Sequence, residues 1–263
     1  GLAQFVAGED LGAEEIKREV RYRHSRLGQL YERSHSRTVS KTIGTPLSEF
    51  TSTKEMVQAL MDAIEGHRTA YEAGVEHRDI SEGNVMMANG RGFLHDFDNG
   101  FNWKANRSDG APDYLRHWRT RSECKERTGT FYFMAVAILQ RRDIIHEAHH
   151  DLESFYWLLF WLVLRHTTYE YTMGSSPLQD IFGGKSDRCL KEKFFILMFP
   201  TELLSVKDNQ PLTELLAKFR HLCAQGYNRN NRTEKPTHES VLRIFKEALD
   251  SNGWPSDDKA MPY

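Results

Sequence analysis

The chain has few cysteines, no long apolar run and little net charge, and each deficit removes a class of protein. Cys124, Cys189 and Cys223 are an odd number without metal-ligand spacing, which disfavours a disulfide framework and points to reduced, buried thiols. A cytoplasmic or nuclear location is therefore expected. The longest apolar stretch, Phe155 to Leu164, is ten residues between Ser154 and Arg165, about half of the ~20 needed to span a bilayer. It reads as a core helix, and no membrane partner is expected. No basic segment leads into an apolar run near the N-terminus, so no secretory signal is expected either. Lys plus Arg number 35 against 37 Asp plus Glu, a formal net charge of -2. That balance leaves no global electrostatic footprint for nucleic acid.

What is present is a globular composition: 263 residues, 39% hydrophobic and 27% charged, enough for one large core or two modest ones and too apolar for disorder. Residues 1 to 45 are irregular. Their basic cluster (Lys17, Arg18, Arg21, Arg23, Arg26, Arg33, Arg37, Lys41) is diluted by Glu14, Glu15, Glu19 and Glu32 and reads as a solvated face. From Ser52 the pattern turns helical. Met56, Val57, Leu60, Met61 and Ile64 recur at helix spacing, Ser52 and Glu55 form a capping-box pair, and Gly74 is the stop signal.

Asn89-Gly90 between two short apolar runs is a strong hairpin signal. A two-residue turn there pairs Ala88 with Arg91 and, counting back, Asn84 with His95. Residues 99 to 127 lack periodicity and read as a long excursion, which inside a compact domain is usually functional or mobile. Beyond residue 149 the pattern is helical, with Asp151 to Leu164 very apolar and Glu239 to Leu249 amphipathic. The segment Ser251 to Tyr263 has little that could pack, and fraying is expected.

Chemistry concentrates between His77 and Asp98. In the hairpin register, Asn84 faces His95 and lies within one residue of Asp96, so two oxygen-bearing side chains converge at the open end of the hairpin. Hard oxygen ligands of this kind suit Mg²⁺, which takes one or two protein ligands together with substrate phosphates. Asp79, five residues before Asn84, enters the same neighbourhood, where its carboxylate can accept a proton from an incoming hydroxyl or orient it.

This arrangement resembles the catalytic core of the protein-kinase superfamily, whose catalytic loop supplies a base Asp and a Mg²⁺-binding Asn and whose Asp-Phe-Gly supplies the second metal ligand. More narrowly, His77 to Asn84, Arg127-Thr128-Gly129-Thr130 followed by Phe133-Met134-Ala135, and His150-Asp151-Leu152-Glu153-Ser154 are similar to the fungal-type protein kinase family, over roughly residues 33 to 165. The resemblance implies an ATP- and Mg²⁺-dependent serine/threonine kinase acting on a protein substrate. It makes Asp79 the catalytic base, gives Asn84 and Asp96 to Mg²⁺, has Arg78 steady the activation segment, and has Asp151 anchor the catalytic loop from a buried helix. His77 and Thr130 become supporting residues. The stretch Thr42 to Leu47, with Gly44, becomes the interlobe hinge that meets adenine.

The departures from the family pattern carry chemistry too. Asp98 stands where most protein kinases have Gly, as it tends to in small-molecule kinases of the aminoglycoside and choline type. Ser81 replaces a Lys that contacts the transferred phosphate, and Ala137 replaces an activation-segment Glu, so that residue's ion pair cannot form. No G-x-G-x-x-G precedes His77, and Lys17 lacks the context of a nucleotide-binding Lys. The expected fold is therefore α+β and protein-kinase-like: mainly an α-helical C-terminal lobe with a small β-hairpin, the N-terminal lobe largely missing. Residues 1–45 would be a small-lobe remnant and hinge, 46–250 the large lobe and 251–263 a flexible tail.

A pseudokinase scaffold and a small-molecule kinase are the alternatives, the activation-segment phrase Arg127 to Ala135 speaking against the second. His146-Glu147-Ala148-His149-His150 matches the zinc-protease H-E-x-x-H, but its nearest third ligand is Glu170 in an ordinary Tyr-rich segment. Asp96-Phe97-Asp98 lacks the Thr or Val that should follow a phosphatase nucleophile pair.

Overall fold

The computed structural model describes residues 1–10, 36–104, 129–141, 144–173, 176–183, 186–199, 201–227 and 235–262. The basic residues from Lys17 to Arg33, most of the 99–127 excursion, Cys124, Arg127 and Thr128 lie outside the described residues. The chain divides into two units, Ala3–Gly44 and a larger one made of Gly1–Leu2 and Thr45–Tyr263. In the smaller unit β1 (Phe5–Asp10) pairs antiparallel with β2 (Ser36–Ser40), Phe5 opposite Ser40, with an irregularity before Ala7. Lys41 N–H to Gln4 O (2.8 Å) continues the ladder past its end.

In the larger unit β3 (Thr45–Pro46) leads through a single 3₁₀ turn, Leu47–Glu49, into helix α1 (Thr53–Ala73). The expected start and stop are in place. Ser52 accepts from Glu55 N–H at 3.1 Å, while the Glu55 carboxylate reaches Thr51 N–H at 2.7 Å, one residue further back than a capping box. Gly74 ends the helix at φ 101°, a left-handed conformation that glycine adopts without penalty.

Next come β4 (Val75–Glu76), a 3₁₀ turn at Glu82–Asn84, β5 (Val85–Ala88), β6 (Arg91–Leu94) and β7 (Phe101–Asn102). The β5–β6 register is the expected one, Ala88 opposite Arg91 and Val85 opposite Leu94. Asn89 and Gly90 turn with φ of 52° and 71°, the positive values a tight hairpin turn requires.

The strand content corrects the expectation of one small hairpin and a largely missing N-terminal lobe. Between Phe5 and Asn102 the described residues hold three sheets: β1–β2, β3–β5–β6 and β4–β7. The reason is physical. Strands β3, β4 and β7 are two residues each, too short for an alternating pattern to register, and they form because neighbouring segments bring their backbones together.

The helical remainder comprises α2 (Val136–Gln140), α3 (Ala148–His166), α4 (Pro177–Phe182), α5 (Ser186–Met198), α6 (Gln210–Gln225) and α7 (His238–Leu249), with β8 (Tyr169–Tyr171) paired to β9 (Leu204–Val206). From Phe155 to Leu164 helix α3 is apolar on every side, and it lies accordingly at the centre of the core. Phe155, Trp157, Leu158, Leu159, Leu162 and Val163 are all fully buried, in one cluster with Leu60 and Ile64 of α1 and Leu215 and Phe219 of α6. Burying each such side chain stabilises by about 1.5 to 3 kcal/mol.

Buried Asp62 on α1 fastens the hairpin to this core, accepting from Arg91 Nε (2.7 Å), Arg91 Nη2 (2.6 Å) and Gly92 N–H (3.1 Å). The C-terminal segment carries polar ties: Ala260 N–H to Thr51 O, Met261 N–H to His166 O, and Asp258 with Thr53 and Lys54 N–H. No helix among the described residues is long and apolar enough to cross a membrane.

Candidate active site

Two short ladders force two loops together. On leaving β4 the chain makes loop 77–84, runs out and back through β5 and β6, makes turn 95–100, and returns on β7 beside β4, with Glu76 opposite Phe101. At the other end Val85 faces Leu94, and His95 N–H donates to Asn84 O at 3.1 Å. Both loops are thus closed at each end and lie side by side.

His77 clips them. Its Nε2 meets His95 O at 3.0 Å, its Nδ1 accepts from Asp79 N–H at 3.3 Å, and its ring packs on Phe97 at 4.5 Å. A carbonyl on one nitrogen and an N–H on the other require the neutral ring protonated at Nε2. Burial also lowers its pKa from the ordinary value.

Each loop holds one residue with positive φ, Arg78 at 68° and Asp96 at 61°, a conformation that costs about 1 to 3 kcal/mol outside glycine. Asp96 is stabilised in it by its own carboxylate, which accepts from Asp98 N–H at 3.3 Å. Arg78 is held by Asp151, whose Oδ2 accepts from Arg78 N–H at 3.1 Å.

The Asp79 carboxylate is held by three donors. Oδ1 accepts from Thr130 N–H (2.7 Å) and from Thr130 Oγ1 (2.9 Å), and Oδ2 accepts from Asn99 Nδ2 (3.1 Å). A carboxylate offers about four acceptor positions, and the described residues leave one of them, on Oδ2. Gly129 lets Thr130 come this close: its φ is 109°, and a Cβ there would stand 2.6 Å from Arg78 O. Asn84, buried, donates Nδ2 to Asp79 O at 2.8 Å, which leaves its amide oxygen to offer a cation. Asp96 and Asp98 are exposed. Ser81 opens the 3₁₀ turn and accepts Asn84 N–H on its carbonyl at 3.1 Å. Gly44 belongs to the Ala3–Gly44 unit.

Asp151, near the start of α3, is the buried post beneath the loop. Besides Arg78 N–H it accepts from His67 Nε2 (2.9 Å) and His146 Nε2 (2.8 Å), and His67 Nδ1 meets His238 Nε2 at 2.7 Å. Burial by itself would raise this carboxyl, but His146 and His67 outweigh it and hold the pKa well below the usual range. Helix α3 also touches the loop through Trp161 Nε1, which donates to Glu82 at 2.9 Å. His146 precedes the helix, and His150 Nδ1 accepts from Glu147 N–H at 2.9 Å. The H-E-x-x-H histidines therefore do not sit one helical turn apart as zinc ligands would.

Glu76 is the group that strains this site electrostatically. Burial pushes its carboxyl up to about 8, with the Asp151 and Glu147 charges adding and Arg78 opposing. A raised carboxyl keeps its proton in the folded state while the unfolded chain loses it, so its contribution is fully present below about pH 4.5 and is lost as pH rises through about 8. Glu76→Gln is expected to be stabilising at pH 8 relative to pH 5 by on the order of a few kcal/mol. Urea unfolding midpoints of the two proteins at both values check it.

Sequence reasoning brought Asp79, Asn84, Arg78, His77 and Asp96 to these two loops and Thr130 and Asp151 against them. It did not bring Asn99 or His67 to the site, and it read His146 only as part of the H-E-x-x-H pattern, not as a partner of Asp151. Asn99 carried a signal, lying one residue past Asp98, but polar residues in a turn are common, and only the β4–β7 pairing sets it beside Asp79. No cluster of three or more His, Cys, Asp or Glu side chains among the described residues is placed to hold a metal ion. Asn84 and Asp96, one amide oxygen and one carboxylate, fit instead the sparse set that Mg²⁺ takes when phosphates complete its shell. Beside Asp79 lies a shallow recess open to solvent, lined in part by Thr130, Met134, Ala135 and Ile138.

A family model described as "Fungal protein kinase" matches residues 6–163, more than half of the chain. The match begins well before residue 33, where the resemblance read from the motifs started. No curated protein matches the chain.

Proposed function

The chain belongs to the fungal protein kinase family, and from that premise we propose that it is an ATP- and Mg²⁺-dependent protein kinase transferring the γ-phosphoryl group to Ser or Thr hydroxyls. The observation that carries this reading is the Asp79 carboxylate, fixed by Thr130 and Asn99 with one acceptor position left on Oδ2. An acceptor hydroxyl at the mouth of the adjoining recess donates its hydrogen bond there, and Asp79 takes the proton as the hydroxyl oxygen attacks the γ-phosphorus and the bond to the departing ADP breaks. Asn84 and Asp96 hold Mg²⁺, which when bound offsets the charge of the phosphates. Arg78, with Asp151 on its amide, fixes the loop that carries Asp79. Phosphoryl transfer rests almost wholly on such positioning.

Thermal melting with Mg²⁺·ATP tests the reading. At ~100 times its Kd the nucleotide should stabilise by about 2.7 kcal/mol, raising the melting temperature by several degrees. EDTA or Asp96→Asn should abolish most of that rise. No rise in the wild-type chain would favour a scaffold that binds partners without nucleotide.

A further inference from the structure

From Thr130 into the first residues of helix α2 runs a short backbone segment whose polar groups are taken up by side chains from three other places. Lys193 of α5 donates Nζ to Met134 O at 2.9 Å. Val136 N–H donates to Glu153 Oε1 of α3 at 2.8 Å, and Ala137 N–H donates to Tyr227 Oη, just past α6, at 3.0 Å. These anchors are themselves joined. Tyr227 O–H donates to Glu153 Oε2 at 2.6 Å, Trp157 Nε1 donates to Glu153 Oε1 at 3.0 Å, and the Lys193 ammonium lies 4.7 Å from the centre of the Trp157 ring. Lys193 is 0% and Glu153 3% exposed.

Burying a carboxylate and an ammonium is costly unless their remaining positions are hydrogen-bonded. Here Glu153 spends its acceptor capacity on Val136 N–H, Tyr227 and Trp157, and Lys193 spends a donor on Met134 O. Burial pushes the Glu153 carboxyl up and the Lys193 ammonium down to about 8, and each charge partly offsets the other's shift. Ala137 itself has no side chain able to tie the segment down. Yet the segment supplies Met134, Ala135 and, at the start of the helix, Ile138 to the recess beside Asp79.

We propose that Glu153, Lys193 and Tyr227 are positioning residues for the protein acceptor: through the backbone of Met134, Val136 and Ala137 they set the wall against which the hydroxyl-bearing residue seats. The proposal rests on the phosphotransfer reading above, since the recess has an acceptor only if Asp79 serves one. The ammonium and the phenol act in turn on a carbonyl and an N–H, so removing either loosens one side of the same wall. Asp79, Asn84 and Asp96 are untouched by either change.

Tyr227→Phe and Lys193→Met in the full chain test it, the first keeping the ring and the second most of the stem. Amide hydrogen exchange at Val136 and Ala137 should quicken about tenfold with α1 amides unchanged, and KM for a casein acceptor should rise while KM for ATP does not. Unchanged exchange in both variants, or loss spread evenly over α1, α3 and α6, overturns the proposal. Faster exchange with an unaltered acceptor KM also overturns it, because the wall would then be irrelevant to seating. A wild-type chain that transfers no phosphate removes the acceptor role by sinking the phosphotransfer reading itself, whereas unchanged exchange in an active enzyme sinks the anchor alone.

Discussion

Asp79→Asn is expected to lower the rate of phosphate transfer about 10²- to 10⁴-fold while leaving the Mg²⁺·ATP melting shift in place. The substitution is isosteric, so Thr130 can still donate to the remaining carbonyl oxygen in the place of Oδ1. What disappears is the basic oxygen opposite Asn99, where an amide NH₂ would now face another NH₂. On the phosphotransfer reading the acceptor hydroxyl loses the carboxylate proposed to take its proton, and kcat should fall more than KM for nucleotide rises. Steady-state kinetics with a casein acceptor, alongside melting curves with and without nucleotide, separate the two effects. A variant that binds Mg²⁺·ATP and retains the wild-type rate would remove Asp79 from the chemistry.

Asp151→Ala should cost about 3 to 5 kcal/mol of stability, the largest single loss of stability anticipated here. It orphans three donors at once, Arg78 N–H, His67 Nε2 and His146 Nε2, two of them on fully or almost fully buried rings. It also releases the strained Arg78 backbone from the α3 post. Asp151→Asn keeps one acceptor oxygen and should lose less.

The pH dependence has a definite sign. The Asp151 carboxyl is depressed in the folded chain, so its contribution is present above the ordinary carboxylate range and lost as pH falls through its lowered value. His77 is also lowered, and His149 and His238 are lowered to about 4, chiefly by burial. The unfolded chain therefore takes up protons below about pH 6.5 that the folded chain refuses, which erodes stability in the same direction. Urea midpoints between pH 7 and pH 4 should fall steeply in the wild type, and Asp151→Ala should remove the most acidic part of that fall. An equal slope in both proteins would assign the acid sensitivity to the histidines alone.

Local chemistry made part of this legible in advance. Ser52, Glu55 and Gly74 bracket α1 because capping and left-handed termination are properties of a few adjacent residues. Asn89-Gly90 set the β5–β6 register for the same reason, and with it the proximity of Asn84 to the turn holding Asp96. What could not be read depended on distant pairing. Strands of two residues have no period, so β3, β4 and β7 were invisible and the N-terminal strand content was underestimated. The β4–β7 pairing is in turn what delivers Asn99 to Asp79. Glu153, Lys193 and Tyr227 come from three separate helical regions, and each alone looks like an ordinary helix residue. Their convergence on Met134, Val136 and Ala137 exists only after the core has packed around α3.

The most direct measurement replaces Mg²⁺ with paramagnetic Mn²⁺ and follows NMR line broadening in the presence of ATP. Preferential broadening of the Asn84 side-chain amide and the Asp96 backbone amide, present with Mn²⁺·ATP and lost in Asp96→Asn, is the result the phosphotransfer account predicts. Broadening centred elsewhere, or none at nucleotide concentrations that saturate ordinary kinases, would contradict it.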